Sequence, residues 1–292
     1  MSKKLKVLVT GATGNTGSLL VPALLKAGVD VRVFARNEAK AKPLRDLGAE
    51  VVIGDLDEPA TILPAIRNVD KIYLLTWNGE TAPKQAQNVI NAAKYETVPH
   101  IIRHSMWGPD NSRIIKEGYK IDEMIKSSGL QWTIMKPTFF MQNTMMAAQS
   151  ISSDGVIYWD MKDGKLGMID VRDVADAAFA VITGGGHEGK SYILTGPEAI
   201  SFNNVASAFS KVLDKEVKYV NVPGEASLQA MTGMGMPEWI AKGYVELMEG
   251  FSENFANSTT KNVEILTGHT ARSFEQFAND FAQVFGGEKI AV

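Results

Sequence analysis

No cysteine occurs among the 292 residues, so disulfides, thiolate nucleophiles and cysteine metal sites are all excluded. No apolar run approaches the ~20 residues of a membrane span. Charge of one sign is also missing: 30 lysines and arginines stand against 33 aspartates and glutamates, a net charge of −3. That balance offers no basic footprint for nucleic acid or an anionic membrane surface. Histidine is scarce, and His100, His187 and His269 show no spacing with carboxylates that suggests a metal site. Neither internal repeats nor low-complexity stretches interrupt the chain. Met1 to Lys6 runs straight into an apolar strand, leaving no room for a signal peptide, so a cytoplasmic location is expected.

What the chain does have is glycine in one particular place. The run Val7-Leu-Val-Thr-Gly-Ala-Thr-Gly-Asn-Thr-Gly17 joins an apolar β-branched segment to Ser18–Leu25, whose apolar residues recur at helical spacing. The order is strand, tight glycine turn, helix. Gly11, Gly14 and Gly17 allow the sharp turn, let backbone approach a diphosphate, and let the helix pack close on the strand. The helix start then offers free N–H groups and the positive end of its dipole to phosphates. Gly11, Thr13, Gly14, Asn15, Thr16 and Gly17 are therefore the expected diphosphate cradle of a dinucleotide site.

Strand and helix patterns continue to alternate. Strands are predicted at 29–35, 50–53, 71–75, 100–103 and 131–135, with helices ending near Leu47, over 59–69, over 83–95 and around 112–128. Such alternation predicts right-handed βαβ units, and hence an α/β, Rossmann-like, doubly wound parallel sheet. Beyond residue 138 the pattern loosens into predicted helices over 139–151, 170–182, 202–213, 226–248 and 274–285, with short strands near 192–194 and 217–222. The expected division is a nucleotide-binding domain over 1–150, with contributions from 168–195, and a smaller, mostly helical cap over 151–292. A cap of this kind belongs over the carboxyl edge of the sheet, where open parallel sheets hold their ligand.

At the end of strand two an acidic residue would bind the ribose hydroxyls of NAD. This chain has Arg36 there, with Lys40 and Lys42 beyond. An arginine pairs with the 2′-phosphate of NADP, so NADP(H) is the expected cofactor. The competing reading is a solvated basic start to a surface helix. Asp55 and Leu56 end strand three, where a carboxylate and an apolar side chain flank an adenine; a helix-capping aspartate is the alternative. Thr76 ends strand four, in reach of a cofactor ribose.

The glycine run, Gly54-Asp55-Leu56, Lys136-Pro-Thr-Phe-Phe-Met-Gln-Asn143 and Leu266-Thr-Gly-His-Thr-Ala-Arg-Ser-Phe274 together resemble the NmrA-like group of atypical short-chain dehydrogenases/reductases. Similarity extends through Ile193–Glu198 and Val217–Pro223, nearly the whole chain. That group includes NADPH-dependent quinone, azo-dye and triphenylmethane-dye reductases, and also redox-sensing regulators that bind the nucleotide and catalyse nothing. The resemblance implies that Ser105 faces the nicotinamide and that backbone groups of Lys136 and Pro137 hold its carboxamide. His104 is expected to be structural.

Short-chain dehydrogenases generally reduce carbonyls through a tyrosine helped by a lysine four residues on. Here the corresponding helix reads Tyr119-Lys-Ile-Asp-Glu123, with glutamate in the lysine's place, where it would raise rather than lower the phenol pKa. Tyr158 to Lys162 has the right spacing but is expected on a strand and turn. Loss of the dyad disfavours alcohol dehydrogenases and sugar-nucleotide epimerases. Acceptors that take hydride at an electron-poor centre need less help. The expectation is thus an NADPH-dependent reductase of quinone or azo-type acceptors, a small flat aromatic or quinonoid substrate, with Ser105 and Asn143 at the reaction. For Asn143 an interior asparagine satisfied by backbone is an equal alternative. Phe139 is expected beside the cofactor, and Trp77, Met106, Trp107 and Phe140 as the acceptor's walls, against the reading that such residues are simple core. Met231 to Trp239 reads as a lid or as an ordinary helix junction. The alternative from another class is a non-catalytic NADP sensor signalling through a protein partner.

Overall fold

The computed structural model describes residues 4–77 and 79–286. Its first half alternates strand and helix: β1 (Lys6–Thr10), α1 (Gly17–Lys26), β2 (Asp30–Ala35), α2 (Glu38–Asp46), β3 (Glu50–Ile53), α3 (Pro59–Ile66), β4 (Lys71–Leu74), α4 (Ala82–Tyr95), β5 (His100–His104), α5 (Arg113–Lys126) and β6 (Gln131–Pro137). The remainder adds α6 (Ala148–Asp154), β7 (Val156–Trp159), α7 (Val171–Thr183), β8 (Lys190–Leu194), α8 (Phe202–Leu213), β9 (Lys218–Asn221), α9 (Gly224–Gly233), α10 (Glu238–Ser252), α11 (Asn262–Thr267) and α12 (Phe274–Asp280). No helix among the described residues is long and apolar enough to cross a membrane.

Seven strands form one sheet in the order β3-β2-β1-β4-β5-β6-β8, and the pairs from β3 through to β6 run parallel. Chain order reverses between β1 and β4, the switch point at which doubly wound sheets open a crevice. The apolar runs of β1, β4 and β5 are buried because helices cover the sheet. One core layer gathers Leu8, Phe34, Ile72, Leu74 and Ile101 with Ile62 and Ile66 of α3, Val89 and Ile90 of α4, and Ile121 and Ile125 of α5. A buried arginine fastens α3: Arg32 of β2 donates from Nη1 to the Ala65 and Arg67 carbonyls at 2.7 and 2.8 Å, satisfying acceptors at that helix's C-terminus.

The chain resolves into two compact units. One comprises Met1–Met106, Glu117–Lys136 and Val174–Tyr192; the other comprises Trp107–Lys116, Pro137–Asp173 and Ile193–Val292. The second unit has its own two-stranded parallel sheet, β7 with β9. Its aromatic centre stacks Trp159 on Phe202 at 5.1 Å between centroids, with Phe139 edge-on to both and Tyr219 tilted against Phe202. Capping boxes start α8 (Ser201 with Asn204) and α12 (Ser273 with Gln276).

Three predicted helices differ in form. The stretch predicted over 139–151 begins as a 3₁₀ helix, Met141–Ala147, before α6. Gln142 donates to Asp170 and accepts from the Val171 N–H, and the Thr144 hydroxyl bonds back to the Met141 carbonyl, which tightens the turn. The stretch predicted over 226–248 is broken between α9 and α10, where Gly235 takes φ of +86° and Pro237 precedes α10. The final predicted helix ends at Asp280 and finishes as a 3₁₀ turn, Ala282–Phe285. Helix α11 went unpredicted.

Candidate functional site

The turn after β1 leads straight into the N-terminus of α1. Gly11 adopts φ of +62°, a left-handed conformation costly for any side chain, and a Cβ there would lie 2.6 Å from Leu75 Cδ2. At Gly17 a Cβ would collide with the Gly11 carbonyl and lie 2.5 Å from Ala12 Cα, so the helix can pack this close only without a side chain. Gly14 is less crowded; its N–H closes the turn on the Gly11 carbonyl at 3.0 Å, and a Cβ would lie 3.3 Å from that oxygen. Thr13, Gly14 and Asn15 are exposed. The N-cap residue Thr16 is buried and makes no side-chain capping bond, so the first turn of α1 has no side chain of its own to satisfy its N–H groups.

Beside this turn, β1 and β4 part. Their pairing ends at Val9 and Tyr73, and the Thr10 hydroxyl then donates to the Leu75 carbonyl at 2.8 Å and accepts from its N–H at 2.7 Å. A side chain has replaced the ladder, which spreads the two strand ends. The next residue along that edge is Thr76, 5% exposed, whose Oγ1 has no hydrogen-bond partner among the described residues. An orphaned buried hydroxyl is costly unless a ligand or water completes it.

Arg36 follows the end of β2, is exposed, and forms no hydrogen bond or ion pair among the described residues. Its neighbours are otherwise committed: Asn37 caps α2 by accepting from the Lys40 N–H, and Lys42 pairs with Asp46. Asp55 uses Oδ1 to accept from the Asp57 N–H at 3.0 Å, a local turn that fixes the segment. The N-cap position of α3 is Glu58, so Asp55 is not that helix's cap. Two amides of α4 hold the same loop: Asn88 donates to the Leu56 carbonyl, and Gln85 donates to Asp57 Oδ2 at 2.9 Å. Gln85 also accepts from the Trp77 N–H at 3.3 Å, tying the loop after β3 to the loop after β4. Trp77 itself is more than half exposed.

A polar cluster lies at the carboxyl ends of β5 and β6. The Ser105 N–H bonds the Met135 carbonyl at 2.8 Å, extending the strand pairing by one step. Ser105 Oγ donates to Asp122 Oδ2 of α5 at 3.0 Å, and Lys136 Nζ reaches the same oxygen at 2.9 Å. The Asp122 side chain is 1% exposed and that of Lys136 17%. Lys136 Nζ also sits 4.5 Å from the centre of the Tyr119 ring, on α5. Among the described residues neither Asp122 Oδ1 nor the remaining N–H groups of Lys136 have a partner. Glu123, which occupies the place of a dyad lysine, is exposed and pairs with Lys126 at 2.7 Å. Asp122 belongs to the buried stripe Ile114, Ile115, Gly118, Ile121, Ile125, and a carboxylate interrupting such a stripe was the signal available in the sequence.

His104 is buried, with Nδ1 2.6 Å from the Tyr73 hydroxyl, and burial followed by the charge of Arg103 pulls its pKa down to about 3. It is neutral and structural, as expected from its place at the strand end. Tyr158 lies on β7 and Lys162 follows in a turn with φ of +45°.

In the second unit, the Pro137 carbonyl accepts from the Trp107 N–H at 2.9 Å, and Trp107 packs on Phe255 at 5.4 Å. Phe139 is buried in the aromatic centre rather than presented at a surface. Phe140 bridges to Ile169. Asn143 is half-buried in the 3₁₀ turn, its N–H bonds the Phe140 carbonyl, and its amide has no hydrogen-bond partner among the described residues. In the first unit, Met106 packs toward Gly118 of α5, 3.5 Å from where a Cβ would lie.

The profile of the NmrA-like family matches residues 3–279. The chain belongs to the NmrA-like family. It is 37% identical to the NAD(P)H azoreductase of Xenophilus azovorans, over 96% of this chain and 99% of that one. Identity to quinone oxidoreductase 2 of Escherichia coli is 30%, over 90% and 94% of the two chains. The crystal structure of the Escherichia coli NADPH-dependent quinone oxidoreductase in complex with NADPH superimposes with a TM-score of 0.86 at 28% identity, covering 94% of this chain and 99% of that one.

Proposed function

We propose that this NmrA-like protein is an NADPH-dependent reductase that passes hydride directly to an electron-poor acceptor, a quinone or an azo compound. Its near full-length relatives are named for those acceptors. The observation that carries the reading is the open cradle at the sheet's switch point: a glycine turn in which Gly11 and Gly17 admit no side chain, in front of a helix start with no capping side chain. A diphosphate satisfies those N–H groups and the helix dipole together.

The residues present fit NADP(H). Gly11, Thr13, Gly14, Asn15, Thr16 and Gly17 would hold the diphosphate, and the unpartnered Arg36 the 2′-phosphate. Asp55 and Leu56, in the loop fixed by Gln85 and Asn88, would flank the adenine. The orphaned Thr76 hydroxyl would find its partner on a ribose. When bound, the cofactor supplies the hydride.

The chain's own residues then orient and exclude. Ser105 Oγ donates its hydrogen bond to Asp122, so it presents lone pairs to a ligand and would accept from a carboxamide N–H. Backbone groups of Lys136 and Pro137 would hold the carboxamide, with Phe139 beside the cofactor. Trp77 and Met106 would flank the acceptor. Among the described residues the helix that would carry a phenol–lysine dyad has Glu123 four residues after Tyr119, and the pair with the usual spacing, Tyr158 and Lys162, lies on β7 and a turn, which favours acceptors that are already electron-poor.

The test is to incubate the protein with NADPH and a panel of quinones, azo dyes and triphenylmethane dyes, and to follow loss of the reduced-nicotinamide absorbance. Acceptor-dependent oxidation is expected. Tight NADPH binding with no turnover of any acceptor would favour a nucleotide sensor with a protein partner instead.

A further inference from the structure

A mostly buried ammonium with unused donors is unusual. Lys136 Nζ spends one N–H on Asp122 and rests against the Tyr119 ring, while its other N–H groups have no partner among the described residues. An ammonium carries three donors and stays solvated when it can. Here the lysine's stem rises from the carboxyl end of β6, next to the end of β5, the edge at which parallel sheets place their ligands. Asp122 and Tyr119, both on α5, hold its head group.

We infer that Lys136 is a catalytic residue of this reductase, the cation that stabilises negative charge forming on the acceptor and the donor of the proton that completes its reduction, with Asp122 and Tyr119 as positioning residues. The inference rests on the reductase reading above. A quinone that gains a hydride, one hydrogen with two electrons, becomes a hydroquinone monoanion. An N–H of Lys136 gives its proton to that oxyanion, forming the second O–H, and the amine recovers a proton from water. The overall balance is acceptor, NADPH and one proton in, reduced acceptor and NADP out. An azo bond follows the same balance, with the charge and the proton on nitrogen. Ser105 cannot take this part, because its own hydrogen is committed to Asp122.

A cationic triphenylmethane dye divides the reaction differently. Its carbocation accepts hydride and is at once neutral, with no anion to stabilise and no proton to receive. A nearby ammonium is of no use to it and repels it. Lys136 therefore selects for acceptors that end as anions.

The experiment compares Lys136→Met with the wild type on a quinone, an azo dye and a cationic triphenylmethane dye, together with NADPH affinity by fluorescence titration. Because Lys136→Met leaves Asp122 buried without its cation, the double variant Lys136→Met/Asp122→Asn, neutral throughout, is run beside it, and Lys136→Arg tests rescue. Quinone and azo turnover should fall about 100-fold, the size of losing one oxyanion donor. Dye turnover should hold or rise, and Lys136→Arg should recover much of the quinone rate. NADPH affinity should stay within about threefold, below the step of one charge-assisted contact. An equal loss on all acceptors, or a quinone rate that survives in both methionine variants, would overturn the role of Lys136. Failure of the wild type itself on every acceptor would instead overturn the reductase reading.

Discussion

The Lys136 ammonium stands 4.5 Å from the centre of the Tyr119 ring, although the two residues come from different elements, β6 and α5. A cation beside this tyrosine is what a lysine at position 123 would supply; here it arrives from the next strand, and Glu123 has turned away to Lys126. The ammonium faces the ring, so the ring rather than the hydroxyl should matter. Tyr119→Phe is expected to keep quinone turnover within about threefold. Tyr119→Leu should lose more, since a cation–π contact at a desolvated site is worth up to ~2 kcal/mol. Steady-state rates of the two variants check this; a collapse in Tyr119→Phe alone would mean the phenol is a proton donor after all.

Arg36 is the residue proposed to favour NADPH over NADH. Without a protein partner its guanidinium is available to a 2′-phosphate, a charge-assisted contact of ~1.5–3 kcal/mol. Arg36→Ala should therefore raise KM for NADPH about 10- to 100-fold and leave KM for NADH nearly where it was. Equal effects on both cofactors would place the 2′-phosphate elsewhere.

The glycine turn separates folding from binding. Gly17→Ala drives a Cβ into the backbone of Gly11 and Ala12 and should lower Tm by several degrees, whereas the less crowded Gly14→Ala should cost little stability. A methyl at Gly14, facing solvent in the turn, should still weaken NADPH binding by about tenfold or more. Thermal melts and titrations on both variants measure the two effects apart.

These elements differ in how far sequence alone reveals them. The glycine turn and the parallel strands were legible because each rests on a local rule: a left-handed φ at Gly11, apolar β-branched runs between helices. Arg36 was legible by counting from the turn to the end of the next strand. The Ser105–Asp122–Lys136 cluster was not, because its members meet through the pairing of β5 with β6 and the docking of α5, and no fixed spacing announces that. Thr10 was missed for a similar reason: it reads as one more β-branched strand residue, yet its hydroxyl ends the β1–β4 ladder. Phe139 is expected beside the cofactor, and its side chain is committed to the aromatic centre with Trp159 and Phe202.

Two buried histidines should make stability depend on pH in a defined direction. His100 is lowered to about 4 by burial and then by Lys71, with Glu188 opposing and His187 adding to the effect; His104 is lowered to about 3 by burial and Arg103. His100 Nε2 lies 2.9 Å from the Thr133 hydroxyl, which donates onward to the His187 carbonyl, so the imidazole is a neutral donor. In the unfolded chain both histidines take up protons near pH ~6.5, while the folded protein keeps them neutral. Their contribution is complete above that pH and is lost as pH falls toward 4, by ~1 kcal/mol per pH unit for each histidine. Denaturant melts between pH ~5 and ~7 should show this slope, and His100→Gln, which keeps a donor, should make it shallower. A flat profile across that window would contradict neutral burial.

Hydride should pass directly from NADPH to the acceptor, and an isotopic label follows it. NADPH carrying deuterium at the transferable position of the nicotinamide is mixed with a triphenylmethane dye, whose reduced central carbon does not exchange with water. Direct transfer predicts deuterium on that carbon, with a primary isotope effect in single turnover. Reduced dye bearing solvent hydrogen on that carbon would contradict it.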